Sequence, residues 1–239
     1  MGKGFDWYSG LFGDERENCL TGEVTPDYVV LSPSTIREIH NCFPDLKIVF
    51  LARNLASRAW SSMTMELFQK RTGLNCGEFS SDATVPQQTK RGRLESKLSV
   101  AQQRRLQEQS SPDSMPDSYF MDRLSSKTHL SRSDYATHLR NWYDVFDDEN
   151  ILLVDFEEIS KPREVLTKIA MHIGVKQDET NAFVGSLSCD EVIRKVNANA
   201  GKCALSERPR LERQITEYLA PFSLDFNKLL ALKGYDFAI

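Results

Sequence analysis

Two short apolar runs constrain this chain more than any other feature. Lys47 to Ala52 contains Ile48, Val49, Phe50 and Leu51 in succession, and Ile151-Leu152-Leu153-Val154-Asp155 repeats the arrangement in the second half of the chain. A strand with one wet face alternates apolar and polar residues. Uninterrupted runs of this length belong instead to strands covered on both faces, as in a parallel sheet. Each run precedes a helical pattern, Leu55 to Gln69 after the first and Pro162 to Ile173 after the second. Pro162 suits a first helical turn, and Gly174 stands where a left-handed residue ends a helix. Strands alternating with helices predict an α/β domain with a mainly parallel central sheet flanked by helices, of the P-loop-nucleotide-fold type.

The 239 residues suit a single domain. Ile36, Ile39, Cys42 and Phe43 predict a short amphipathic helix over Ser34 to Phe43, with Ser34 or Thr35 as its N-cap. Helical spacing returns from Tyr135 to Phe146 and dominates Glu179 to Leu232. Near the start, Phe5, Tyr8, Leu11 and Phe12 recur at helical spacing. Thr72 to Ser133 is rich in Gln, Ser and Arg and poor in aliphatics. Ser96 to Gln109 has the pattern of one helix, but Pro112 and Pro116 exclude the next residues from it. That composition predicts a mobile insertion over residues 72–133.

Composition removes several function classes. The longest apolar run, Ile48 to Ala52, is far short of the about 20 residues a membrane-spanning helix needs. Lys3 and Asp6 flank no apolar segment of the kind a signal peptide carries. A net charge of −4 argues against wholesale nucleic-acid binding but leaves room for a local anion site. Cys19, Cys42, Cys76, Cys189 and Cys203 are odd in number and contain no CxxC pair. Buried free thiols in a reducing compartment are the plain reading, with a Cys189–Cys203 clip as the alternative. His40, His129 and His172 show no metal-ligand spacing, and His138 reads as a core-edge residue beside Tyr135, Leu139 and Trp142.

The most informative segment is the exit of the first apolar run, Leu51-Ala52-Arg53-Asn54-Leu55-Ala56-Ser57-Arg58-Ala59-Trp60-Ser61. In open α/β sheets, ligands bind beyond the carboxyl ends of strands, where helix N-termini attract anions. Arg53 stands at that exit and Ser61 eight residues later, so an arginine fork and a hydroxyl can close on a phosphate from two sides. A capped, solvated turn is the structural alternative.

Arg53-Asn54 followed by Arg58-Ala59-Trp60-Ser61 resembles the Arg-Asn-Pro…Arg-Ala-Tyr-Ser segment by which sulfotransferases bind the 3′-phosphate of PAPS (3′-phosphoadenosine 5′-phosphosulfate), with Leu55 in place of the proline. Three further segments agree in order. Lys3-Gly4-Phe5-Asp6-Trp7-Tyr8 is similar to the segment that opens the substrate side in the heparan N-sulfotransferase-like branch. Gly22-Glu23-Val24-Thr25-Pro26-Asp27-Tyr28 resembles the family's Gly-Glu-x-Ser/Thr-Pro-x-Tyr turn. Tyr135 to Trp142, then Ile151 to Ile159, resembles its late helix–strand pair ending in Tyr/Phe-Glu-Asp/Glu-Leu/Ile. The resemblance runs from Lys3 to about Gly174 and implies the sulfotransferase fold. It also implies PAPS as co-substrate with PAP as product, no metal, and transfer of a sulfuryl group to a hydroxyl or amine acceptor such as a glycan.

One departure stands against the match. The family's Lys-x-Gly-Thr-Thr loop, which cradles the 5′-phosphosulfate, occurs nowhere in the sequence, nor does GxxxxGK[ST]; Ala200-Gly201-Lys202 lacks both the preceding strand and the glycine-rich run. The chain therefore carries the 3′-phosphate half of a PAPS site, its own turnover is expected to be low, and a non-catalytic PAP-binding module is the rival reading. On the resemblance, Lys202 and Arg208 are carried over as nucleotide-binding residues beside Arg53 and Ser61. Trp7 and Tyr8 are carried over as acceptor-lining residues, against a core role. Glu23 is a candidate base, or an acceptor of backbone N–H bonds in its turn. The basic stretch Lys90 to Arg105 suits an anionic acceptor or a solvated helix face. The compartment is cytoplasmic if the chain is complete and the Golgi lumen if an anchor precedes it.

Overall fold

Ile48–Ala52 and Ile151–Asp155 are strands β1 and β2, paired in parallel with Ile48 opposite Ile151 and Ala52 opposite Asp155. The computed structural model describes residues 20–72, 112–186 and 205–239. Around the strands lie α1 (Pro33–Cys42), α2 (Leu55–Thr72), α3 (Asp117–Leu124), α4 (Lys127–Ser133), α5 (Tyr135–Tyr143), α6 (Pro162–His172), α7 (Gln177–Ser186) and α8 (Pro209–Leu232). The arrangement is α/β, mostly helical, with the expected parallel pairing.

Local chemistry sets the ends of these elements. Ser32, rather than Ser34 or Thr35, caps α1: its Oγ accepts the Thr35 N–H at 3.2 Å. Pro33 decides the difference, because its fixed φ starts the helix one residue after Ser32. Asn54 caps α2 by accepting the Ser57 N–H at 3.1 Å, and Asp134 caps α5 through the Thr137 N–H at 3.2 Å. Gly174 ends α6 at φ +86°, with its own N–H on the Met171 carbonyl and the Val175 N–H reaching back to Ala170. Gly234 ends α8 in the same way at φ +77°. This double bond pattern needs a left-handed residue, which glycine adopts without a Cβ penalty.

The core fills the space between the sheet and α2, α3, α5 and α8. Leu211, Ile215, Leu219, Phe226, Leu229 and Leu230 form one buried stripe on α8. Phe50, Tyr135 and Phe226 meet edge to face, with centroids 4.9–6.3 Å apart, and Trp60 packs on Phe120 at 4.8 Å. Part of the predicted insertion belongs to this core. Residues 73–111 lie outside the described ones, but residues 112–133 are a 3-10 turn followed by α3 and α4, with Phe120, Leu124 and His129 fully buried. The local cause is simple. Phe120 and Leu124, the two fully buried apolar residues of this stretch, are spaced four apart, so they share one helix face.

Beyond Gly234 the chain turns back onto the sheet. The Tyr235 hydroxyl accepts the Leu153 N–H at 3.0 Å and lies 3.5 Å from the Ile151 carbonyl oxygen. A parallel neighbour would address the same pair of groups on β2. A second buried polar seam joins α2, α3 and α4. Glu66 pairs with Arg123 and lies 3.0 Å from His129 Nε2, while the Ser133 hydroxyl donates to the His129 carbonyl at 2.8 Å. Burial holds the His129 imidazole below its ordinary pKa, aided by the Arg58 and Arg123 charges and opposed by Glu66.

These two contacts give testable outcomes. Replacing Tyr235 by Phe leaves the Leu153 N–H without its partner. That variant should lose about 1–3 kcal/mol in urea unfolding and expose the Leu153 amide to faster hydrogen exchange; unchanged exchange there would refute the role. For His129, the folded pKa lies below the unfolded value of about 6.5, so in that interval the unfolded chain binds more protons. Stability should therefore fall as pH drops from about 7.5 to 5.5, and less steeply in His129→Gln, as followed by thermal unfolding. Identical slopes in both proteins would contradict the assignment.

Candidate functional site

The parallel register sets the exits of the two strands side by side, since Ala52 faces Asp155 and Arg53 and Phe156 come next. The Arg53 guanidinium carbon lies 4.6 Å from the centre of the Phe156 ring, a cation–π contact. Tyr135 is buried at the start of α5. Burial raises its pKa against the pull of the Arg58 and Arg53 charges, so the phenol stays neutral. The Arg53 guanidinium is thus met by a ring from the other half of the chain.

Asn54 and Ser57 open α2 directly after Arg53, and Ser61 lies one turn beyond Ser57, exposed. Arg58 lies between them, its Nη2 donating to Ser133 Oγ at 2.7 Å. Its pKa is lowered, chiefly by burial, with Arg132 and Arg53 adding to the effect and Tyr135 opposing it. Beside the strand ends opens a cleft of about 410 Å³ lined by Asn54, Ser57, Asp155, Glu157 and Glu212, and by Ile239 at its edge. Among the described residues three carboxylates line this cleft and no cation does, so it repels anions. The cations of the junction, Arg53 and Arg58, do not line this cleft.

The remaining sequence candidates make other contacts or lie outside the described residues. Glu23 is exposed in the turn before Pro26 and accepts a hydrogen bond from the Tyr28 hydroxyl. Arg208 flanks the first turn of α8. It pairs with Asp117, donates to the carbonyls of Pro112 and Met115 at 3.2 and 3.0 Å, and covers the Phe120 ring at 5.1 Å. Its fork is engaged in clamping α3 to α8. Trp7, Tyr8, Lys202 and the basic stretch from Lys90 lie outside the described residues. So do Cys19, Cys76, Cys189 and Cys203, while Cys42 is a free, exposed thiol. His138 lies at the core edge, its Nε2 2.9 Å from the Ser131 carbonyl oxygen.

Sequence reasoning overlooked Phe156 as the support of Arg53, and Tyr135 as the buried phenol that its charge acts on. The signal was present for Phe156: it is the first residue after the second apolar run, as Arg53 is after the first, and parallel strands in register bring such positions together. Tyr135 offered no comparable sign. Its distance along the chain from Arg53 is bridged only by the packing of α5.

Comparison with known proteins agrees with this geometry. The sequence profile of the sulfotransferase domain matches residues 33–214, which is more than half of the chain. Mouse heparan sulfate glucosamine 3-O-sulfotransferase 6 is 25% identical over 244 aligned residues, covering 98% of this chain; the chain spans 61% of that protein's length. In fold, the chain is similar to a solved sulfotransferase from Alicyclobacillus acidocaldarius, with a TM-score of 0.56 and 21% identity over 98% of this chain and 73% of that one. The paired strands with their helices, the arginine at the strand exit and the long profile match converge, and the chain belongs to the sulfotransferase family.

Proposed function

We propose that the junction of β1 and α2 binds the 3′-phosphate of PAPS or PAP, and that the chain serves sulfuryl transfer from PAPS to a hydroxyl or amine. The observation that carries this reading is Arg53, held at the paired strand exits against the Phe156 ring and followed by the exposed Ser61. An arginine whose plane is already oriented loses little freedom on gripping a phosphate. PAPS would supply the activated sulfuryl group. Arg53 and Ser61 address the far phosphate, so they act about equally on ground and transition states and contribute binding rather than rate.

The mouse relative's name concerns a glucosamine hydroxyl of heparan sulfate. A saccharide hydroxyl is accordingly the first acceptor to try, with Glu23 as the base to vary. A second reading is a module that binds PAP without turnover.

Calorimetry with PAP tests the site. Losing a charge-assisted hydrogen bond costs about 1.5–3 kcal/mol, so Arg53→Ala should weaken PAP roughly ten- to a hundredfold and leave adenosine 5′-phosphate, which lacks the 3′-phosphate, unaffected. Equal PAP affinity in the two proteins would reject the reading. Labelled PAPS with saccharide and amine acceptors then separates its two forms: turnover supports the transferase, and binding without turnover supports the module.

A further inference from the structure

We propose that Arg58 is a second cation of the anion site, one that tunes it to a doubly charged phosphate monoester. The inference rests on the reading of Arg53 and Ser61 given for the β1–α2 junction. Arg58 stands three residues before Ser61 on α2, so the two share one side of the helix. Its Nε is buried and has no hydrogen-bond partner. Its Nη2 donates to the hydroxyl of Ser133, itself fully buried. Among the described residues no carboxylate pairs with Arg58.

The like charges that bear on Arg58 are Arg53 and Arg132. Arg132 has a counter-ion, Asp27, at 2.8 Å. Arg53 has the Phe156 ring, and Arg58 has only a hydroxyl. Burial and like charge both oppose a cation placed this way, so it destabilises the protein without ligand. A purely packing role at this position would be met as well by an uncharged side chain of similar length. An incoming dianion removes both costs at once. A phosphate monoester brings nearly two negative charges and three acceptor oxygens, which two arginine forks and a hydroxyl can share.

The experiment pairs PAP and adenosine 5′-phosphate titrations with thermal unfolding of the ligand-free protein, for wild type and Arg58→Met. The expected result is PAP affinity lowered about tenfold, unchanged affinity for adenosine 5′-phosphate, and a ligand-free midpoint equal to or above wild type. PAP affinity within about twofold of wild type would overturn the proposal. So would a lowered midpoint with equal losses for both nucleotides, the signature of a structural role. Should Arg58→Met fail to fold, Arg58→Gln is read by the same criteria. A PAP loss in Arg53→Ala without one in Arg58→Met rejects this inference alone, whereas no PAP binding by wild type rejects both readings.

Discussion

The pairing of two five-residue strands in parallel register is the constraint on which the rest of this molecule depends. Both strands run toward the same end, so whatever leaves them emerges together. Arg53 and Phe156 are neighbours only for that reason, and α2 and the turn after β2 start from a common edge. Sliding one strand by a single residue would send its side chains to opposite faces. Phe50 would leave Tyr135 and Phe226, and the guanidinium would leave its ring. The register is held from outside the ladder as well. Lys47 Nζ donates to Asn150 Oδ1 at 2.6 Å, and His172 Nε2 lies 3.1 Å from the Ile48 carbonyl oxygen.

Six arginines among the described residues sort into two kinds. Arg123, Arg140, Arg132 and Arg208 each meet a carboxylate, on Glu66, Asp225, Asp27 and Asp117 respectively, and each ties one element to another. Arg140 does so with both nitrogens of its fork, at 2.8 and 2.9 Å. Arg53 and Arg58 meet a ring and a hydroxyl instead. A protein with more acidic than basic residues has carboxylates to spare for them, and it places three in the neighbouring cleft without pairing either. The division leaves two guanidinium groups at the strand exit without a carboxylate.

Much of the scaffold was legible in the residues. The apolar runs, Pro162 at a helix start and Gly174 at its end each state a local rule that packing did not override. Ser34 and Thr35 misled because the proline just before them sets the helix start more firmly than a hydroxyl does. Pro112 and Pro116 were legible as breakers but not as the lead-in to a packed pair of helices, since two buried residues, Phe120 and Leu124, are too few to register as a pattern. Of the candidate site, spacing names Arg53 and Ser61, whose binding role is a proposal. Spacing does not encode the packing of distant elements, as in the Phe156 ring against Arg53, or the lack of a carboxylate beside Arg58.

The reversal at Gly234 has a bearing on how this sheet can grow. Because a phenol occupies the hydrogen-bonding pair of Leu153 and Ile151, the outer margin of β2 offers an incoming backbone no free rung at its centre. A side chain seals that margin without supplying a template of its own, so the seal cannot be extended as a strand could. Among the described residues the sheet thus meets a side chain at that rung, on the strand beside the one whose exit carries Arg53.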